Sequence, residues 1–200
     1  MKSLTPPDTV LPLLTAIAEG DAVAFRQFYD LTNRRVFNTI LSYVRNHEDA
    51  EDITQDVFVE VFRSVGQFKG EASPTTWVYR IAVTKALDAL KHQKRQKRFA
   101  FLTSLFDADS GELRHDPADF YHPGVALEQQ ENSAMLFRAV DTLPDKQKTA
   151  WILARAEGLT NIETAEVMAV TVGAVESLLT RATENLRKKL SSFYKTLNQP

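Results

Sequence analysis

The 200-residue sequence contains no cysteine, which excludes disulfide frameworks, thiolate metal sites and cysteine nucleophiles and suits a reducing compartment. Glycine is scarce, 7 in the chain, and neither an Asn-Gly or Asp-Gly pair nor an alternating apolar–polar run signals a hairpin, so strands are not expected. No apolar stretch approaches the roughly 18 residues that a membrane span needs. The N-terminus, MKSLTPPDTVLPLL, carries one Lys among prolines and an Asp and makes a poor signal peptide. The chain is therefore read as cytoplasmic, with no membrane insertion.

It also lacks a charge excess. The formal net charge of −2, from 24 basic and 26 acidic residues, argues at first against a DNA-binding protein, whose footprint is usually basic. The average hides a partition. Residues 1–98 hold 14 Lys/Arg against 12 Asp/Glu, and residues 128–200 hold 9 of each. Residues 99–127 hold Arg114 alone against Asp107, Asp109, Glu112, Asp116 and Asp119, a balance of −4. That segment, with Gly111, Pro117, Pro123 and Gly124 and without helical periodicity, reads as a flexible acidic linker.

Both flanks are helical in character. Apolar residues at i, i+3, i+4 and i+7 predict helices over 10–18, 21–45 and 48–65, and a fourth from Pro74 into KHQKRQKR. Gly20, Gly66 and Gly70 mark the breaks. Beyond the linker, helices are expected over 128–141, up to the Leu143-Pro144 boundary, and over 145–157, up to Gly158. Thr160-Asn161-Ile162-Glu163 has the form of a capping box opening a helix to Met168, and a last helix runs from Thr171 to the Leu190 region. The expected fold is all-α: two small helical domains, an N-terminal bundle over 1–98 and a C-terminal helix-turn-helix domain over 128–200, joined by the linker over 99–127.

Three constellations carry chemistry. In 48-EDAEDITQDVFVEVF-62, Asp49, Asp52, Asp56 and Glu60 follow a 3-4-4 spacing that places them on one helical face, opposite the apolar one. Such a face is either simply solvated, with acids complementing the helix N-terminus, or a docking surface for a basic partner. In 74-PTTWVYRIAVTKALDALKHQKRQKR-98, Trp77, Tyr79 and Arg80 open a helix whose end carries Lys91, Lys94, Arg95, Lys97 and Arg98. Aromatic rings stack on unpaired bases while Lys and Arg hold phosphates; the alternative is that Trp77 is core and the basic run a charged helix end. In 160–190, two helices joined at Ala169-Val170 have the form of a helix-turn-helix, or of an ordinary helical hairpin. As a DNA reader it exposes Gly173, Ala174, Glu176, Ser177, Thr180 and Arg181 early in the second helix, with Arg187, Lys188 and Lys189 further along.

Taken in this order, the three blocks resemble bacterial sigma factors of the extracytoplasmic-function group, over residues of about 20–98 and 128–190. DAEDITQDVFVEVF is similar to the family's Asp-Ala-Glu-Asp-Leu-Thr-Gln-Glu-Val-Phe motif, TWVYRIA with ALDALK to its promoter-melting helix, and 143-LPDKQKTAWILARAEGLTNIETAEVMAVTVGAVESLL-179 to its C-terminal helix-turn-helix. The resemblance implies that Asp49, Glu51, Asp52, Gln55 and Asp56 dock core RNA polymerase. It implies that Trp77, Tyr79, Arg80, Thr84, Lys85, Lys91, Lys94 and Arg95 engage the minus-10 element and its non-template strand, with residues 66–74 shaping a pocket for flipped bases. Thr171, Gly173, Ala174, Glu176, Ser177, Thr180 and Arg181 would read the minus-35 element, and the linker would thread toward the polymerase active centre. The chain departs from the pattern at Pro74-Thr75, where the family often has Phe-Arg, at Thr84, often Asn, and at Glu176 and Leu178, often basic. Glu accepts from cytosine N4 but repels phosphate, so no promoter sequence follows.

The resemblance thus implies a promoter-specificity subunit without catalytic residues or cofactors, acting with core RNA polymerase and promoter DNA. No fused module is expected after Leu190, so a separate anti-sigma factor is the expected regulator. Two other readings stand beside it. A stand-alone helix-turn-helix regulator leaves the acidic helix without a role. A metal-dependent nucleic-acid hydrolase needs ligands converging on the acids, and the sequence offers only His47, His92, His115 and His122.

Overall fold

The computed structural model describes residues 7–104 and 135–197, with side chains over 10–96 and 135–191. The N-terminal helices are α1 (Pro7–Ala18), α2 (Ala22–Val44), α3 (His47–Ser64), which continues into a 3-10 turn at Val65–Gln67, and α4 (Pro74–Ser104). The C-terminal ones are α5, the helical residues 135–141, α6 (Asp145–Trp151), α7 (Asn161–Met168) and α8 (Val172–Leu197). Among the described residues there is no strand, and the protein is all-α with two helical domains.

Local chemistry sets the helix ends. Asp21 caps α2, its carboxylate accepting from the backbone N–H of Val23 at 2.7 Å and of Ala24 at 3.1 Å. At the far end of α2, Arg45 takes a left-handed conformation (φ 58°) and its N–H returns to the Leu41 carbonyl. Asn46 then caps α3 by accepting from the Asp49 N–H at 2.9 Å. Arg45 and Asn46 alone separate the two helices, so the acidic helix begins at a defined orientation. The Thr160 capping box forms as expected: the Glu163 N–H donates to Thr160 Oγ1 at 3.2 Å, and the Thr160 N–H to the Glu163 carboxylate at 2.8 Å. Ala169 turns α7 off with φ 52°, and Thr171 opens α8 by accepting from the Ala174 N–H at 3.2 Å.

Some expectations need correction. The helix expected over 145–157 divides: after Trp151, residues Ile152–Ala156 form a π-helical turn, with the Glu157 N–H bonded to the Ile152 carbonyl at 3.0 Å. Helix α4 runs to Ser104, past the expected start of the linker at 99. Phe62, in the apolar spacing that predicts the helix over 48–65, is 55% exposed at the edge of the buried stripe, where it meets Phe25 edge-on with ring centroids 5.5 Å apart. The rest of the linker and the start of the helix expected over 128–141 lie outside the described residues.

In the N-terminal domain α2, α3 and α4 pack around Phe28, Ile40, Val57, Val61, Ala82 and Ala86. Phe58 meets Phe28 at 6.0 Å and Tyr29 at 4.6 Å between ring centroids. In the C-terminal domain Val175, Leu179, Ala182 and Leu186 form the buried stripe of α8, which packs on α6 and α7. The sequence left the relation of the two domains open. The structure closes them: α7 lies against α4 and the π turn against α2, and one apolar core runs from Phe28 and Ile40 through Tyr43 to Val140, Ile152 and Leu153.

Candidate polymerase and nucleic-acid interfaces

Helix α3 buries Ala50, Thr54, Val57, Phe58 and Val61 and turns its acids outward. Asp49, Glu51, Asp52, Gln55 and Asp56 are all exposed. Glu51 meets His47 Nδ1 at 3.3 Å, and Glu60, at the far end of the row, faces Lys85 of α4 at 3.4 Å. Val59 and Phe62, half-exposed beside this row, form an apolar margin that helical periodicity alone did not reveal. Asp49 and Asp52 also border a shallow cleft with Ile53, Leu90 and His92 between α3 and α4.

Helix α4 is capped by Ser73, whose hydroxyl accepts from the Thr76 N–H at 3.1 Å. Trp77 is half-buried and tilted against Phe68, with centroids 5.2 Å apart, which joins the loop before α4 to the helix itself. Tyr79 does not share the outward face: it is 3% exposed and its hydroxyl donates to Glu157 Oε2 at 3.4 Å. Arg80 is exposed, but its guanidinium donates to the Glu166 carbonyl at 2.6 Å, near the C-terminal end of α7. Thr84 is exposed and donates to the Arg80 carbonyl at 2.8 Å, while Lys85 is half-buried against Glu60. Lys91, Lys94 and Arg95 are exposed along the later part of the helix; Lys91 pairs with Asp88 at 3.0 Å and Lys94 with Asp145 at 3.7 Å. The eight residues thus share a helix but not a surface.

The third set does share one. Thr171, Gly173, Glu176, Ser177, Thr180 and Arg181 are exposed along the first turns of α8, with Ala174 half-buried between them. A groove beside them is lined by Glu176, Thr180, Glu184 and Arg187 of α8 and by Arg155 and Asn161. Arg155, on the π turn, is not placed by helical periodicity because that turn departs from the helical pattern.

The contact between the domains is largely polar around its apolar centre. Asp141 receives Arg45 at 2.8 Å and Lys148 at 2.8 Å, and Lys148 also donates to the Tyr43 carbonyl at 3.3 Å. Deeper in, the Glu157 carboxyl is pushed up to about 7 by burial, against the opposing pull of hydrogen bonds from Thr39 and Tyr79 and the positive Arg35. Burial raises the Tyr79 and Tyr43 hydroxyls above their usual range.

Two family models match, sigma-70 region 2 over residues 28–96 and sigma-70 region 4 over residues 133–186. The RNA polymerase sigma-H factor of Pseudomonas aeruginosa is 30% identical over 178 residues, 89% of this chain and 92% of the relative. The ECF RNA polymerase sigma-E factor of Haemophilus influenzae is 30% identical, over 89% of this chain and 93% of its own length. The chain belongs to the extracytoplasmic-function sigma factors.

Sigma factors are transcription initiation factors that bind core RNA polymerase and promoter DNA, and they are not enzymes. Membership removes the hydrolase and the stand-alone-regulator readings of this sigma factor. The region 2 match spans most of α2 and all of α3 with the described side chains of α4, and the region 4 match spans α5 to the middle of α8. Two solved structures share the fold. CnrH in complex with the cytosolic domain of CnrY has TM-score 0.65 and 19% identity over 90% of this chain and 96% of that one. The sigma factor RpoE in complex with the anti-sigma factor NepR from Bartonella quintana has TM-score 0.63 and 20% identity over 84% and 96%. No helix among the described residues is long and apolar enough to cross a membrane.

Proposed function

We propose that this alternative sigma factor holds core RNA polymerase through the exposed face of α3, with Asp49, Glu51, Asp52, Gln55 and Asp56 as contacts, and uses α4 and α8 on promoter DNA. The observation that carries the reading is the acidic row itself. Five polar side chains stand on the outward face of one helix, anchored at its start by Asn46 and backed by a rigid core. A basic partner surface meets several charges in fixed register there, which gives orientation and on-rate.

Trp77, Arg80, Thr84 and Lys85 then face the minus-10 element together with Lys91, Lys94 and Arg95, and Tyr79 joins them once it is uncovered. Thr171, Gly173, Ala174, Glu176, Ser177, Thr180 and Arg181 face the minus-35 element, since the start of a recognition helix is the part that reaches base edges. The functional units are residues 1–98 and 128–200, with 99–127 as the connection. The protein works in the cytoplasm and is held inactive by an anti-sigma factor; support comes from the RpoE neighbour, which was solved with such a partner. Reconstitution with core RNA polymerase and a promoter library tests the reading: promoter-dependent initiation is expected, and tight operator binding by the free protein without initiation would overturn it.

A further inference from the structure

The seam between the domains uses residues that DNA binding needs. The π turn Ile152–Ala156 widens the chain just before Gly158, whose φ of +76° turns it toward α7. Glu157, between them, is set down in the space between α2 and α4. On the α4 side the Tyr79 hydroxyl donates to its carboxylate at 3.4 Å, and on the α2 side the Thr39 hydroxyl, the positive Arg35 and the Tyr43 phenol act on it electrostatically. Next to Tyr79 on α4, and about one turn beyond Thr76, Arg80 is held by the Glu166 carbonyl of α7, the first helix of the helix-turn-helix. Tyr79 and Arg80, both assigned to the minus-10 strand, are thus engaged by the C-terminal domain.

We propose that this closed arrangement is a latched state that withholds α4 from promoter DNA, and that Glu157, seated between α2 and α4, is the latch. The inference rests on the reading of α4 as a DNA-binding helix. Closure stands on geometry: an apolar core shared by both domains, the Arg45–Asp141 pair at 2.8 Å, the Arg80 bond at 2.6 Å and the Tyr79 hydroxyl bonded to the half-buried Glu157 carboxylate at 3.4 Å.

The latch responds to protons. In water a Glu carboxyl sits at 4.5, whereas burial lifts Glu157 to about 7 in the closed state. The closed state therefore binds the proton more tightly than the open one. Its advantage is full below 4.5 and is lost as the pH rises through about 7. The buried Tyr43 and Tyr79 hydroxyls stay neutral across this range because burial raises them. Between pH 6 and pH 8 the ratio of open to closed molecules rises about tenfold.

The absence of native cysteine makes the test direct. Dyes on Glu19→Cys and Glu184→Cys, both exposed positions, report the distance between the domains in the full chain by energy transfer. Wild-type transfer is expected to fall from pH 6 to pH 8, while Glu157→Gln, which cannot ionise, stays high and flat, and Glu157→Ala is low at both. Equal pH profiles for wild type and Glu157→Gln, with unchanged transfer in Glu157→Ala, would overturn the latch. Binding of a labelled random-sequence single strand separates this from the reading beneath it. Low transfer in Glu157→Ala with about tenfold tighter binding supports the proposal; low transfer without any gain means that α4 is not the DNA surface and overturns the claim that closure withholds it.

Discussion

The acids of α3 and the acid that follows the π turn carry the same functional group in opposite surroundings. Asp49, Asp52 and Asp56 stand in water, on a helix whose first turn welcomes negative charge, and form an outward field. Glu157 is half-buried against Tyr79, and its pKa rises because partial removal from water disfavours the charged form. The difference separates two jobs. Exposed carboxylates in register present a surface to a partner; a buried carboxylate couples packing to protonation. Both come from acids that a composition count treats alike, and that is how a chain with net charge −2 holds an exposed acidic face, a basic helix end and a half-buried carboxyl at the seam.

The comparison breaks most sharply at Asp52. Asp52→Lys reverses one charge in the middle of the row and is expected to weaken core binding by about a hundredfold or more while helical circular dichroism is unchanged, since an exposed substitution leaves the core intact. Intact dichroism with unchanged core affinity would show that the exposed acids do no docking. On the buried side, a carboxyl raised in the folded state contributes stability that is lost as pH rises through about 7. The wild-type melting temperature is therefore expected to fall by a few degrees from pH 6 to pH 8, and that of Glu157→Gln to hold steady in the same scan.

Smaller effects sharpen the same contrast. Thr160→Ala removes the capping box at the start of α7 and is expected to cost about 1 kcal/mol in denaturant unfolding, because the helix start loses its reciprocal hydrogen bonds. Glu176→Lys removes a negative charge from the exposed start of α8 and is expected to change minus-35 preference or raise non-specific DNA affinity by a few-fold, read by binding at two salt concentrations. No change in either would take Glu176 off the reading face.

Much of this was legible in the sequence, and the gaps have a common physical cause. Helices α2, α3 and α8 follow from their apolar spacing, and the ends at Gly20 and Thr160 follow from a helix-breaking glycine and a capping box. The exposed acids of α3 lie where a 3.6-residue period places them. Periodicity fails where packing between distant segments decides. Tyr79 reads as an aromatic available to bases, yet its hydroxyl meets Glu157, 78 positions away along the chain, and the C-terminal domain covers it. The π turn inserts an irregularity into a segment whose pattern is that of one helix, and with it Glu157 moves from an ordinary last-turn acid to the centre of the seam. Arg155 and Phe62 were missed for related reasons: one stands on the π turn, where helical period does not place it, and the other sits at the edge of a stripe whose width depends on its neighbours.

The most direct test joins the two regions in one titration. The dye-labelled chain is titrated with core RNA polymerase while energy transfer between the domains is recorded. The account predicts that core binding through α3 lowers the transfer in the wild type and that Asp52→Lys leaves it high at the same core concentration. Transfer that stays high at saturating core, in a complex that initiates transcription, would contradict it.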